Sequence, residues 1–421
     1  MNQEIVIVGG GFSGARIAKI LAGWHEGLRK NIHITLIDKS RYHTYQPHLY
    51  EVATAHLPEA FGQGPLPLDF FDLKSSAIYP LEDIFTDEMN VTVLEDKVLN
   101  VDFNAREVVL EKGKKHPYDI LVLSAGSETN YFGNKGLMGR GLPLKNFFDA
   151  LEIRNAVDEA FANTPKNKQV KIIIGGGGFT GCELAGEMMG YFKKLEAIHG
   201  RPDGSFECII VDASDKLLGG ASSWISKRAA KRLSSLGVKF KFQSPIKDVS
   251  DGEVVLGTGE KIPYNVLIWT AGVKASDLSH ELLGVKLEKA SCVIVDKNLR
   301  IEPYENVFGA GDSTYCVDEA TGKSLPMTAQ VALREAKYVA ENIKRVILKK
   351  PLLKYKPHNS GVIAPLGGRF ALLESNGLRL EGFVPWLIKM AVSLHYWATL
   401  IGWKKAWQIM KKGVEIYKQN D

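Results

Sequence analysis

Apolar residues along this chain fall into two periodicities. In MNQEIVIVGGGFSG the run Ile5 to Val8 is short, unbroken and β-branched, which predicts a buried strand from Glu4 to Val8. A Gly-rich turn follows, then a helical stretch from Ala15 to about Leu28, then a second apolar strand, IHITLID, ending at Asp38. The order strand, turn, helix, strand is the opening of an α/β fold. It returns in VKIIIGGGGFTGCELAGEMMGYF, followed by ECIIVD ending at Asp212, with AIHGRPDGS read as an intervening loop. Two more apolar strands, in DILVLSAGSETNYFG and NVLIWTAGV, end in the small-residue turns Ala125-Gly126 and Ala271-Gly272. Turns of that kind let the chain cross between lobes beside a bound group. Near the end, Leu387, Met390, Ala391, Leu394, Trp397, Ala398 and Ile401 recur at helical spacing and predict one apolar helix face.

The two Gly-rich turns carry chemistry. Gly9, Gly11 and Gly14 stand as G-x-G-x-x-G between a strand and a helix, and Asp38 lies 24 residues beyond. The first glycine permits a tight turn, the second lets backbone approach a pyrophosphate, and the third lets helix pack on strand. Free N–H groups at the helix start then face the phosphates, and the acid accepts from ribose hydroxyls. Gly176, Gly178 and Gly181 repeat the pattern, with Asp212 31 residues on. The negative charge of Asp212 repels a 2′-phosphate and no Arg follows it closely, which favours NADH over NADPH, with Lys216 the nearest cation. Two complete fingerprints read as a flavin plus a nicotinamide nucleotide; one live site and one decayed copy is the alternative. ENVFGAGDST adds Asp312, placed to accept from a ribityl hydroxyl or simply closing a β-turn.

Composition narrows the class. The 421 residues suggest about three lobes at roughly 150 residues each. A chain 45% hydrophobic and 24% charged is an ordinary globular protein, neither disordered nor a polytopic membrane protein. A net charge of +5 does not indicate a nucleic-acid binder. Cys182, Cys208, Cys292 and Cys316 form no CxxC and no zinc pattern, so no metal and no disulfide framework are expected. The N-terminus has no basic region before its short apolar run and reads as a strand, not a signal peptide, which places the protein on the cytoplasmic side.

Residues 383 to 421 differ in character. Trp386, Trp397, Trp403 and Trp407 lie there with six Lys, against Glu415 and Asp421. Pro385, Lys389 and His395 interrupt the apolar run, so a transmembrane span is not expected. Trp with Lys on an amphipathic helix suits the headgroup region of an anionic leaflet. Packing on the protein's own core or on a second subunit fits the same pattern.

Together, IVIVGGGFSG, YHTYQPHLYEVATAHL, IIIGGGGFTGCELAGE, VFGAGDST and PMTAQVA resemble the two-dinucleotide-binding flavoproteins, and within them the type II NADH dehydrogenases, single-chain NADH:quinone oxidoreductases. The resemblance covers nearly the whole chain. It implies non-covalent FAD held by Gly9, Gly11, Phe12, Ser13, Gly14, Asp38, Lys39, the backbone of Val98, Ala125, Gly126 and Asp312, with Ala329 and Gln330 near the isoalloxazine. It implies NADH held by Gly176, Gly178, Thr180, Gly181, Asp212, Ala271 and Gly272. Glu183 matches a glutamate near the nicotinamide in that family, and a first-turn acid serving the helix dipole accounts for it as well. The quinone pattern of the family, AQ-x-A-x-Q, stands here as AQVALRE: Ala329, Gln330 and Ala332 match, and the last Gln is Arg334. That guanidinium either hydrogen-bonds a quinone carbonyl or turns into a salt bridge with Glu335 or a neighbour. Lys389 is assigned toward the flavin and the quinone channel.

The expected architecture is α/β: two Rossmann-like dinucleotide-binding domains, the second inserted into the first, plus a C-terminal amphipathic helical segment that docks on the membrane. The bounds expected are 1–135 with 297–350 for FAD, 136–296 for NADH, and 351–421 for a short β-rich stretch followed by membrane helices. The activity implied is hydride transfer from NADH to FAD and two electrons onward to a membrane quinone, without proton pumping. The partners implied are lipid at the cytoplasmic face of the cell membrane and a possible second copy of the chain. No two Cys lie within twenty residues, which excludes a redox-active pair close in sequence. Two rivals remain open: a flavin reductase of a soluble protein such as a ferredoxin, and a non-enzymatic redox sensor resembling apoptosis-inducing-factor relatives.

Overall fold

The computed structural model describes residues 3–24, 26–56, 70–358 and 360–420. Leu57, the last residue of the YHTYQPHLYEVATAHL stretch, lies outside them. The chain forms two compact units, one of residues 1–44, 79–128 and 273–359, the other of 45–78, 129–272 and 360–421. These bounds differ from those expected in four places: residues 129–135 fall in the second unit, residues 351–359 fall in the first, and two longer segments change lobe. Residues 273–296, expected with the nicotinamide lobe, belong to the first unit, where Ser276 N–H donates to the Gly126 carbonyl at 3.1 Å. Residues 45–78, expected with the flavin lobe, belong to the second unit, where Tyr45 and Glu51 bond side chains of the C-terminal helix. For residues 45–78 the helices Leu49–Ala53 and Phe70–Ala77 pack on helices of the second unit.

The first unit is built on a parallel sheet of five strands in the order Val307–Gly309, Ile120–Leu123, Gln3–Val8, Ile32–Asp38, Val91–Glu95. Val8 lies opposite Ile37 on one side and Leu123 on the other, which brings three strand ends to one edge. The helices Phe12–Ala22 and Ala329–Ile347 pack together in this unit, and Ile5, Val6 and Ile7 are fully buried. Burial on both faces explains why the strand is an unbroken apolar run and not an alternating one.

The second unit repeats the plan. Its parallel sheet runs Leu142–Pro143, Val266–Trp269, Val170–Gly175, Phe206–Val211, Lys239–Lys241. An antiparallel sheet of Ile246–Ser250, Glu253–Leu256 and Lys261–Pro263 shares a core with it through Val249, Val254, Leu256, Ile173, Leu267 and Trp269. A third sheet, Val362–Pro365, Ala371–Ser375 and Leu378–Gly382, precedes the helices Phe383–Ile401 and Trp403–Asn420. Ala371, Trp386, Met390 and Met410 join sheet and helices in one cluster. Among the described residues no helix is long and apolar enough to cross a membrane.

The inward face of Phe383–Ile401 is not quite the expected one. Trp386, Lys389, Met390, Ser393, Tyr396, Trp397 and Leu400 are buried, while Leu387, Val392 and Ala391 are exposed. Lys389 and Ser393 turn inward because polar partners wait there: Lys389 Nζ donates to Glu51 at 2.6 Å and Tyr45 Oη donates to Ser393 at 2.9 Å. A reading based on hydrophobicity alone puts such residues on the outer face.

Candidate functional site: two dinucleotide cradles and a buried charge cluster

In each unit the central strand of the parallel sheet, Gln3–Val8 or Val170–Gly175, ends in the Gly-rich turn and feeds a helix, Phe12–Ala22 or Phe179–Ile198. A β-carbon on Gly14 would sit 1.8 Å from the Gly9 carbonyl oxygen, and one on Gly181 would sit 1.9 Å from that of Gly176. Helix and strand therefore approach only because both positions are glycine. Gly11 and Gly178 have nothing within 4 Å of where a β-carbon would lie, so the space above each turn is open. Neither helix has a side-chain N-cap, whereas Phe147–Asn163, Ser223–Leu236 and Ala329–Ile347 are capped by Asn146, Ser222 and Thr328. The helix Phe383–Ile401 is also uncapped, but only the other two follow Gly-rich turns with open space above them, where a pyrophosphate matches their first N–H groups in charge and geometry.

The acids close each cradle. Asp38 accepts from Gly10 N–H at 2.6 Å and Ser40 N–H at 2.7 Å. Burial pushes its pKa up, against those two hydrogen bonds. Asp212 accepts from Gly177 and Ser214 N–H in the same manner. A cleft of about 870 Å³ opens beside it, lined by Gly176, Gly178, Asp212, Pro245, Trp269 and Gly272 among others. That volume suits a nucleotide. The donor set of both cradles fits a dinucleotide.

Asp312, in the first unit, accepts from Ser127 Oγ at 2.7 Å, which orients its carboxylate. Phe12 packs edge-on against His43, 5.6 Å between ring centroids. His43 is fully buried, and burial lowers its pKa to about 4, so its Nδ1–H donates to the Gly10 carbonyl at 2.8 Å as a neutral imidazole. Ser13 and Gly14 are buried under the turn, Ala125 is partly buried just past the strand Ile120–Leu123, and Gly126 takes φ 71°. Val98 begins the strand Val98–Asp102, opposite Leu110. Lys39 is largely exposed and pairs with Glu128 at 3.5 Å.

Ala329 and Gln330 begin the helix Ala329–Ile347, with Gln330 exposed and Ala332 buried. Arg334 forms no ion pair with Glu335. Its Nε donates to the Lys356 backbone carbonyl at 2.9 Å, and Glu335 faces the opposite way into the core, accepting from Gly311 N–H at 2.7 Å. One residue along a helix is a 100° turn, which separates the pair. Burial raises Glu335 to about 8, with the Asp312 charge adding to it.

In the second unit Glu183 lies in the first turns of its helix, half-buried. Burial raises its pKa to about 8; Lys389 opposes the shift and Glu51 adds to it. The helix dipole therefore does not decide its state. Lys389 is paired with Glu51 and lies 5.4 Å above the Tyr50 ring. Tyr45 and His48 complete the cluster: burial raises the phenol and lowers the imidazole. Glu51, Tyr45, His48 and His43 were not singled out from sequence. The available signal was their density of polar residues inside an otherwise apolar stretch. Thr180 is exposed at the helix start, and Ala271 and Gly272 line the cleft.

All four cysteines are free and buried, and burial raises every thiol, to about 11 for Cys292 and about 12 for Cys208 and Cys316. The thiolate form that nucleophilic or redox chemistry needs is disfavoured at each.

The sequence profile of the family described as pyridine nucleotide-disulphide oxidoreductase matches residues 3–336. The chain belongs to that family. Within it, the chain is 29% identical to the type II NADH:quinone oxidoreductase Ndh of Mycobacterium tuberculosis, over 96% of this chain and 85% of that protein. It is 28% identical to the type II NADH:quinone oxidoreductase of Staphylococcus aureus, over 87% of this chain and 88% of that one. The NDH2 structure from Plasmodium falciparum in complex with NADH has the same fold, with a TM-score of 0.83 at 17% identity over 99% and 98% of the two chains. The sulfide:quinone oxidoreductase of Aquifex aeolicus shares it at a TM-score of 0.75, 20% identity, over 95% and 92%. A pyridine nucleotide-disulphide oxidoreductase with four sequestered, unpaired thiols lacks the disulfide chemistry of the family name.

Proposed function

We propose that this chain is an NADH:quinone oxidoreductase of the type II class, using non-covalent FAD. The observation that carries the reading is the pair of uncapped dinucleotide cradles in a chain similar end to end to two proteins of that name. The overall reaction balances as NADH + H⁺ + quinone → NAD⁺ + quinol. FAD, when bound, supplies a two-electron relay between the two substrates.

The chain's residues bind, orient and hold protons. The Gly9–Gly14 turn and Asp38 hold the adenosine and pyrophosphate of FAD, and Asp312, oriented by Ser127, takes a ribityl hydroxyl. The Gly176–Gly181 turn and Asp212 hold NADH, and the Asp212 carboxylate disfavours a 2′-phosphate. Glu183, raised to about 8, keeps its proton at neutral pH and so stands as a neutral acid that holds one of the protons the quinol requires. Gln330 and Ala332 form the quinone side of the first unit's site. Arg334 braces the chain at Lys356 through its Nε.

The C-terminal helices dock on the cytoplasmic leaflet. Trp403 and Trp407 are 64% and 59% exposed, Phe383, Val384 and Leu387 are exposed as well, and Lys404, Lys405 and Lys411 lie beside the tryptophans. Exposed Trp beside Lys matches a headgroup interface. Trp386 and Trp397 are core residues and have no part in this.

The test is optical and anaerobic. Purified protein in mild detergent with flavin absorbance is mixed with NADH, then with a short-chain quinone. Bleaching by NADH and recovery on quinone is the expected result. Bleaching without recovery rejects the quinone as acceptor and favours a protein acceptor or a sensor.

A further inference from the structure

Phe132 has no role in the account above, and its geometry is costly. It is a bulky residue at φ 51°, in the left-handed region that side chains other than Gly, Asn and Asp rarely adopt. Its ring is also 69% exposed. Neither the strain nor the exposure serves the core.

Three hydrogen bonds hold the conformation. Phe132 N–H donates to Asn130 Oδ1 at 2.8 Å, Trp269 Nε1 donates to the Asn130 carbonyl at 2.9 Å, and Asn130 N–H donates to the Gly272 carbonyl at 3.2 Å. Trp269 meets the Phe132 ring edge-on at 6.5 Å. A β-carbon on Gly272 would lie 2.7 Å from the Phe132 ring, so the ring lies directly on that backbone because Gly272 has no side chain. The strained segment is thus braced so as to present an aromatic face at the rim of the 870 Å³ cleft.

The cleft's lining identifies which part of a dinucleotide it receives. Phe132 shares it with Asp212, which marks the adenosine ribose, and with Ser244, Pro245 and Ile246, which follow the strand beyond Asp212. Thr180 and Glu183, on the nicotinamide side of the helix start, are not among its lining residues. A purine is flat, apolar on its faces and polar at its rim. A ring presented by strained backbone over Gly272, in a cleft that Pro245 and Ile246 also line, supplies a stacking surface for it. Strain of this kind is retained where a local structure serves binding.

We propose that Phe132 is the adenine-stacking residue of the nicotinamide-nucleotide site and sets its affinity for the adenosine half of NADH. The inference rests on reading this cleft as the NADH site. Loss of one aromatic–base stack corresponds to about tenfold in affinity or more.

The experiment uses the FAD-loaded full chain and two probes: ADP-ribose, which carries the adenosine half, and reduced nicotinamide mononucleotide, which lacks it. Calorimetric titration with ADP-ribose should weaken about tenfold in Phe132→Ala and Phe132→Leu and stay near wild type in Phe132→Trp. The Leu variant keeps apolar volume without a π face, so it guards against misfolding of the Ala variant. The KM for reduced nicotinamide mononucleotide should not change in any of them. ADP-ribose affinity within twofold of wild type in both Ala and Leu variants overturns the assignment, as does an equal loss for the mononucleotide, which marks a merely structural residue. Failure of the wild-type protein to bind ADP-ribose overturns the reading of the cleft itself, and the assignment with it.

Discussion

Replacing Glu51 by Gln should destabilise the second unit severely. Glu51 and Lys389 have side chains only 4% and 8% exposed and meet at 2.6 Å. Neither charge is hydrated well enough to stand alone, so removing one partner strands the other in a low-dielectric site. Breaking a buried pair in this way costs about 3–5 kcal/mol. For a unit of this size each kcal/mol shifts the melting temperature by about 2–4 °C, so a fall of roughly 6–20 °C is expected. The double variant Glu51→Leu with Lys389→Met removes both charges, and apolar replacement of a whole pair is often neutral or stabilising by about 1–4 kcal/mol. Thermal scans and urea titrations of wild type, Glu51→Leu, Lys389→Met and the double variant close a cycle, with Glu51→Gln measured beside it. A single variant within about 0.5 kcal/mol of wild type, or a double variant no better than the singles, refutes the argument that desolvated charge dominates here. The same variants carry a second readout. Glu51 raises the Glu183 pKa and Lys389 lowers it, so Glu51→Gln should move the alkaline limb of the pH–rate profile down and Lys389→Met should move it up.

Glu183 also links pH to stability. Its folded pKa, about 8, lies above the ordinary value near 4.5, so the native state binds the proton more tightly than the unfolded chain. The stability this contributes is fully present below about pH 4.5 and is lost as pH rises through about 8. Relative to Glu183→Gln, the wild type should therefore weaken between pH 5 and pH 8.5 in urea titrations; a constant difference removes the claim. Gly181→Ala places a methyl 1.9 Å from the Gly176 carbonyl and should abolish NADH binding while leaving flavin absorbance intact, read by titration and by spectrum. Retained NADH affinity contradicts the cradle geometry. Trp403→Ser with Trp407→Ser should cut sedimentation with anionic vesicles several-fold and leave ADP-ribose binding unchanged, and undiminished sedimentation moves the docking surface elsewhere.

The cradles were legible in the sequence because their requirements are local. A phosphate-binding turn needs glycine where backbone and helix approach, and Gly14 and Gly181 prove to have neighbours that leave no room for a β-carbon. Strand, turn, helix and acid follow one another within about forty residues, so pattern and structure report the same contacts. The lack of a usable thiol was equally visible, since cysteine spacing alone excludes a near pair, and burial then disfavours each thiolate.

What lay beyond the sequence depends on residues brought together over long separations. Lys389 pairs with Glu51 across 338 positions and Tyr45 with Ser393 across 348, and no periodicity encodes a partner that distant. Those pairings accompany the burial of Lys389 and Ser393 on the inward face of Phe383–Ile401. They also set the state of Glu183, because a carboxyl's pKa answers to burial and neighbouring charge, neither of which a linear pattern contains. Phe132 is the same case: its residue type was plain, but its strained backbone and its seat over Gly272 exist only once the strand ending at Trp269 is folded beside it.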